Sequence, residues 1–172
     1  AAFYPDYTAL GLRSSKGCTQ EMPQQVLKPG EFRVSDLSSR RETPFDLQPD
    51  ADARAAIATQ IGLMALKKLR FTGKIAPSGA RGWTLTGRLG ATVVQPCVVT
   101  LDPVTSRIDE DVERQFMPTE YFEEAEAGSE MEMPEDTSAE PLGQIISAHD
   151  AMVESLLLAL PQYPRSDSAE LG

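Results

Sequence analysis

Residues Trp83 to Val104, WTLTGRLGATVVQPCVVTLDPV, decide the fold. In the first half, Trp83, Leu85, Gly87, Leu89, Ala91 and Val93 alternate with Thr84, Thr86, Arg88, Gly90 and Thr92. A period of two places these sets on opposite faces of a strand, one buried and one wet. Gln95-Pro96-Cys97 interrupts the alternation. Proline has no amide hydrogen for a sheet ladder, so Pro96 marks an edge, a bulge or a strand end. Val98-Val99-Thr100-Leu101 then resumes the apolar run, and Asp102-Pro103 reads as a tight turn.

The same period lies just upstream, where Leu69, Phe71, Gly73 and Ile75 alternate with Lys68, Arg70, Thr72 and Lys74. The turn cluster Pro77–Gly82 joins the two runs into an antiparallel hairpin with one apolar face. The other face carries Arg70, Lys74 and Arg88 among threonines, with Arg81 in the turn. Downstream, Ile108, Val112 and Phe116 recur every four residues within Arg107–Met117. That spacing suits a helix face and equally alternate positions of a strand. The strands before it favour a third strand, with Asp109, Asp111 and Glu113 on an acidic outer face.

Two helices are expected. The first runs from Ala53 to Leu66, behind Asp50 and Asp52 as caps, with Ile57, Ile61 and Met64 on its apolar face and Lys67 and Lys68 near its C-terminus. Gly62 falls inside it and weakens it by about 1 kcal/mol relative to Ala. The second runs from Ser147 to Leu160, with Ala148, Met152, Leu156 and Leu160 in step and Pro161 ending it. Short strands are expected at Phe32–Leu37 and Pro44–Leu47. The fold class is α+β: an antiparallel sheet, open or barrel-like, packed with two main helices and carrying a long acidic loop.

A chain of 172 residues makes one domain and can bury a core without staples. That domain is expected over residues 31–165, between a mobile arm at 1–30 and a loose tail at 166–172. Met22 opens MPQQVLKPGEF as a natural start would, so residues 1–21 are expected to add nothing to the fold. Two cysteines, Cys18 and Cys97, make no disulfide framework and suit a reducing, cytoplasmic setting. No apolar run reaches the ~18 residues of a membrane span. Neither membrane nor DNA is expected as a partner.

The net charge of −10 is unevenly placed. Residues 115–172 hold Arg165 alone against 13 carboxylates, whereas residues 1–114 are close to neutral. Residues 118–141 are acidic, free of bases and broken by Pro118, Pro134 and Pro141, so a flexible loop is expected there. Glu123, Glu124, Glu126, Glu130, Glu132, Glu135 and Asp136 are its candidate contacts to a basic protein.

Catalysis finds little support. Cys97 among valines reads as a small buried hydrophobe. His149, the one histidine, sits near the start of the last helix, and a nucleophilic triad would need an acid and a geometry that sequence does not supply. Two cysteines and one histidine make no zinc set, and the glycines follow turn and strand logic rather than phosphate-loop spacing. No catalytic residue, metal or cofactor is expected; a nuclease or thiol hydrolase is the alternative. Arg70, Lys74, Arg81 and Arg88 are candidate RNA contacts, weighed against the plainer reading of a solvated, edge-guarding strand face.

At LGATVVQPCVVTLDPVTSRIDEDV (89–112) the chain resembles the YceD family, closest to its alphaproteobacterial members. The resemblance runs from about Phe32 to Arg165. Its markers are Cys97, Leu101 and Pro103 in the first segment, and Glu154, Pro161, Tyr163 and Pro164 in the ending ESLLLALPQYPR. The resemblance implies a ribosome-biogenesis role in accumulation of large-subunit ribosomal RNA. The implied partners are a ribosomal protein of the large subunit, precursor 23S-type rRNA, or both, and no catalytic residues come with it. Many relatives carry a second cysteine three residues after the first; here that position is Thr100, which removes the basis for a metal or redox role. Ile146-Ser-Ala-His149 also departs from the family's pattern, so His149 is not a family site.

Overall fold

The computed structural model describes residues 26–126 and 139–166. Three long antiparallel strands form its spine: β3 (Ala65–Ser78), β4 (Gly82–Pro96) and β5 (Pro103–Met117). Two shorter strands, β2 (Thr43–Leu47) and β6 (Ala139–Pro141), flank them in the order β2-β3-β4-β5-β6. Among the described residues only β6 runs parallel to its neighbour. The sheet is open, so the barrel-like alternative falls and the α+β class stands. β1 (Glu31–Arg33) pairs with β7 (Ile145–Ser147) as a separate ribbon.

The alternation read in the sequence becomes the core. Leu69, Phe71 and Ile75 of β3 line one face with Trp83, Leu85, Leu89, Ala91 and Val93 of β4. Ile108, Val112 and Phe116 of β5 join them, which settles the four-residue spacing as a strand. This face is covered by α1 (Ala51–Ile61) through Ile57 and Ala58, and by α3 (Ala148–Ala159) through Ala151, Met152 and Leu156. Gly73 and Gly87 are register partners on the same face. A Cβ on Gly73 would strike the Thr86 carbonyl and the Gly87 Cα, and one on Gly87 would strike the Phe71 ring. The bare backbone therefore seats Phe71, whose ring centroid lies 5.1 Å from that of Phe45.

Several boundaries differ from expectation. The first helix ends at Ile61, not Leu66: Gly62 adopts φ 75°, and the Leu63 N–H reaches back to the Ala58 carbonyl at 2.8 Å. Gly62 thus closes the helix instead of weakening its middle. Met64 lies outside the helix and is exposed, and Lys67 and Lys68 belong to β3. A register shift between Leu66 and Lys68 puts Leu66 and Leu69 on one face, a spacing that imitates a helix. Of Phe32–Leu37, only Phe32 and Arg33 are strand; Val34–Asp36 form a 3-10 turn. Val98–Leu101, the apolar run after Pro96, is an exposed turn.

The acidic segment is partly ordered. Thr119–Glu126 form α2, which opens after Pro118 with Glu120 in its first turn, where the helix dipole favours a carboxylate. Ala139–Pro141 form β6; residues 127–138 lie outside the described residues, as do 1–25 and 167–172. The last helix begins as expected, with the Asp150 N–H donating to Ser147 Oγ at 3.1 Å. Gly30, assigned to the arm, accepts the Ala148 N–H at 2.7 Å.

Candidate functional surfaces

The outer face of the sheet is the first surface to weigh. β3 presents Lys68, Arg70 and Lys74 there, β4 Arg88, and β5 Arg107, Asp109, Asp111 and Glu113. Each candidate RNA contact meets a carboxylate. Arg70 reaches Asp46 at 2.8 Å, Lys74 reaches Glu42 at 2.7 Å, Arg81 reaches Glu120 at 3.5 Å, and Arg88 reaches Asp111 at 3.9 Å. Arg107 is held by Asp109 at 2.8 Å. Hydrogen bonds from Arg70 hold the Asp46 carboxyl below its usual range, and those from Arg107 do the same for Asp109. The face is a mosaic of opposite charges, and α2 extends it by setting Glu120 against the hairpin's turn.

The other predicted contacts divide. Glu123, Glu124 and Glu126 lie on α2, whereas Glu130, Glu132, Glu135 and Asp136 fall outside the described residues.

Cys97 opens the turn between β4 and β5. Its N–H donates to the Asp102 carbonyl at 2.7 Å and its carbonyl accepts the Leu101 N–H at 3.0 Å, with Leu101 at φ 64°. The turn is clasped by the segment after α3. The Val98 N–H donates to the Pro164 carbonyl at 3.0 Å, and Gln95 Nε2 to the Pro161 carbonyl at 3.2 Å. The sulfur is buried and accepts the N–H groups of Val99 and Ser166, each at 3.5 Å. The Thr100 hydroxyl, then the Thr100, Ser166 and Val99 amides, draw the thiol down to about 6, with burial opposing them. Val98, Val99, Leu101 and Tyr163 stay exposed around the clasp. The two marker segments, far apart in sequence, are thus one structural joint.

That joint coincides with a family model. The model described as Large ribosomal RNA subunit accumulation protein YceD matches residues 85–172, half of the chain. The chain belongs to the YceD family. The YceD match begins at Leu85 in β4 and so takes in the clasp, β5 and α3. Its description ties the family to accumulation of large-subunit ribosomal RNA. No curated protein and no solved structure matches the chain.

His149 does not approach Cys97. It lies in the first turn of α3, with Nδ1 3.4 Å from Asp150 Oδ1, whereas Cys97 is bound to residues beyond the helix's other end. A helix of this length spans about 18 Å from end to end. Among the described residues, no three His, Cys, Asp or Glu side chains gather as a metal site, and no helix is long and apolar enough to cross a membrane.

Two features escaped sequence reasoning. Arg114 projects from the core face of β5, with its side chain 12% exposed, and binds Glu140 of β6 at 2.5 Å and Glu154 of α3 at 3.2 Å. Its position between inward-facing Val112 and Phe116 was the available signal. A groove of about 1060 Å³ also lies between α1 and α3, lined by Leu47, Ile61 and Leu157 together with Asp50, Asp150 and Glu154.

Proposed function

We propose that the chain is a non-enzymatic, cofactor-free cytoplasmic factor that supports large-subunit ribosomal RNA accumulation by holding a basic ribosomal protein of the large subunit. One observation carries this choice over direct RNA contact. Arg70, Lys74, Arg81 and Arg88, the cations that would follow a phosphate backbone, each face a carboxylate of this same chain. Nucleic-acid affinity comes mainly from cations that neutralise phosphates, and these are already matched. The excess charge is the acidity of residues 115–172. Opposite charge on a ribosomal protein would speed encounter and make binding sensitive to salt.

Capture from a mixture of large-subunit proteins and ribosomal RNA tests the reading. Basic proteins are expected on the full chain and on Arg70→Gln/Lys74→Gln/Arg88→Gln, and they are expected to fall away in high salt. A chain lacking residues 127–138, a deletion that spares α2 and β6, is expected to capture less. Retention of RNA without basic proteins, lost in the triple variant, would overturn the assignment.

A further inference from the structure

β5 is fifteen residues long, yet β6 pairs only with Gln115, Phe116 and Met117. From Pro103 to Arg114 that edge carries no strand among the described residues. The Met117 carbonyl accepts the Leu142 N–H at 2.7 Å on this side. The β4–β5 register has no shift, so Thr105, Arg107, Asp109, Asp111 and Glu113 turn their backbone groups the same way.

What flanks this edge is specific. Arg107, Asp109, Asp111 and Glu113 stand on its outer side, Asp109 paired with Arg107 and Asp111 with Arg88, and Glu110 stands on its inner side. Glu110 and Glu113 have no ion pair among the described residues. Behind the edge, α3 adds a shelf of about 280 Å³ with Leu158 and Ala159, and Leu158 is 76% exposed. Charges on an open edge guard against pairing with a second copy. The same charges admit a strand of opposite sign.

We infer that the open edge of β5, from Thr105 to Glu113, is a strand-addition site for an extended protein segment that alternates basic with apolar residues. The inference rests on the basic-protein reading above and says where that protein is held. Main-chain hydrogen bonds supply the affinity and alternate side chains the selectivity. A basic side chain on the outer side meets Glu113, which has no ion pair among the described residues, with Asp111 beside it held by Arg88 only at 3.9 Å; apolar side chains on the inner side lie on Leu158 and Ala159.

The test uses the full chain and a ten-residue peptide alternating lysine and valine. Hydrogen exchange of the Arg107, Asp109, Asp111 and Glu113 amides is expected to slow when the peptide binds. The same peptide, N-methylated on alternate amides, is expected to bind about tenfold more weakly or worse. Asp111→Pro, which blocks an outward N–H on an edge that tolerates proline, is expected to lose about as much, and Asp111→Asn less. The methylated peptide decides the matter if Asp111→Pro fails to fold. Binding without amide protection, equal binding of the methylated peptide, or protection of these amides by an RNA oligonucleotide would overturn the site. Ribosomal-protein capture that leaves these amides unprotected sinks the edge and spares the basic-protein reading. Peptide protection without ribosomal-protein capture spares the edge and sinks that reading.

Discussion

Replacing Arg114 by methionine should cost about 2 kcal/mol, and the structure says why the figure is neither smaller nor larger. The guanidinium is largely buried on the core side of β5 and joins Glu140 and Glu154, which are 40% and 57% exposed. A hydrogen bond to a charged group contributes about 1.5–3 kcal/mol, whereas a fully exposed ion pair contributes about 0–1 kcal/mol. Breaking a fully buried pair costs about 3–5 kcal/mol because a charge is stranded away from water. Here the stranded carboxylates reach solvent, so the loss falls between these limits. Methionine keeps an unbranched stem of similar bulk, which separates lost charge from lost packing. Urea unfolding should show a lower midpoint with an unchanged slope. Glu154→Gln alone should cost about 1 kcal/mol, and the double variant should cost less than the two together. A loss for Arg114→Met within about 0.5 kcal/mol of zero would refute the reasoning, since that is the scale of an ordinary surface substitution.

Two further predictions concern the core and the clasp. Gly73→Ala should destabilise by about 3 kcal/mol or prevent folding, because the added carbon meets backbone atoms of Thr86 and Gly87 that cannot rotate away; a midpoint like wild type's in denaturant unfolding would show that the strands separate to admit it. Cys97 in the folded chain is drawn down to about 6 from an ordinary 9.0, so folding favours the thiolate. Its contribution is complete above pH 9 and is lost as pH falls through about 6, so stability should rise with pH across that window. Thr100→Val should flatten the rise by removing the largest cause; a wild-type slope no steeper than that of Cys97→Ser would count against the thiolate.

The class of fold was legible because its central strands obey a period of two. Trp83, Leu85, Leu89, Ala91 and Val93 face one core, and no other local structure places them so. The α3 cap at Ser147 was legible as well, since capping is a contact across three residues. The errors arose where a distant partner decided the outcome. Leu66 and Leu69 share a face through the register shift opposite β4, and their spacing read as a helical turn. Val98 to Leu101 is apolar yet exposed, because the clasp to Pro164 and Ser166 bends it into a turn.

The candidate surfaces follow the same division. Sequence alone determined which residues carry charge, that the excess lies in the C-terminal third, and that strands would display it in alternation. It left open which charges meet. Arg70 and Asp46 are 24 residues apart along the chain, and Arg114 and Glu140 are 26 apart. Only the folded sheet brings these pairs together, sets carboxylates against Arg70, Lys74, Arg88 and Arg107, and leaves the edge of β5 from Pro103 to Arg114 without a strand among the described residues. Periodicity is a property of neighbours along the chain, whereas neutralisation and an open edge are properties of neighbours in space.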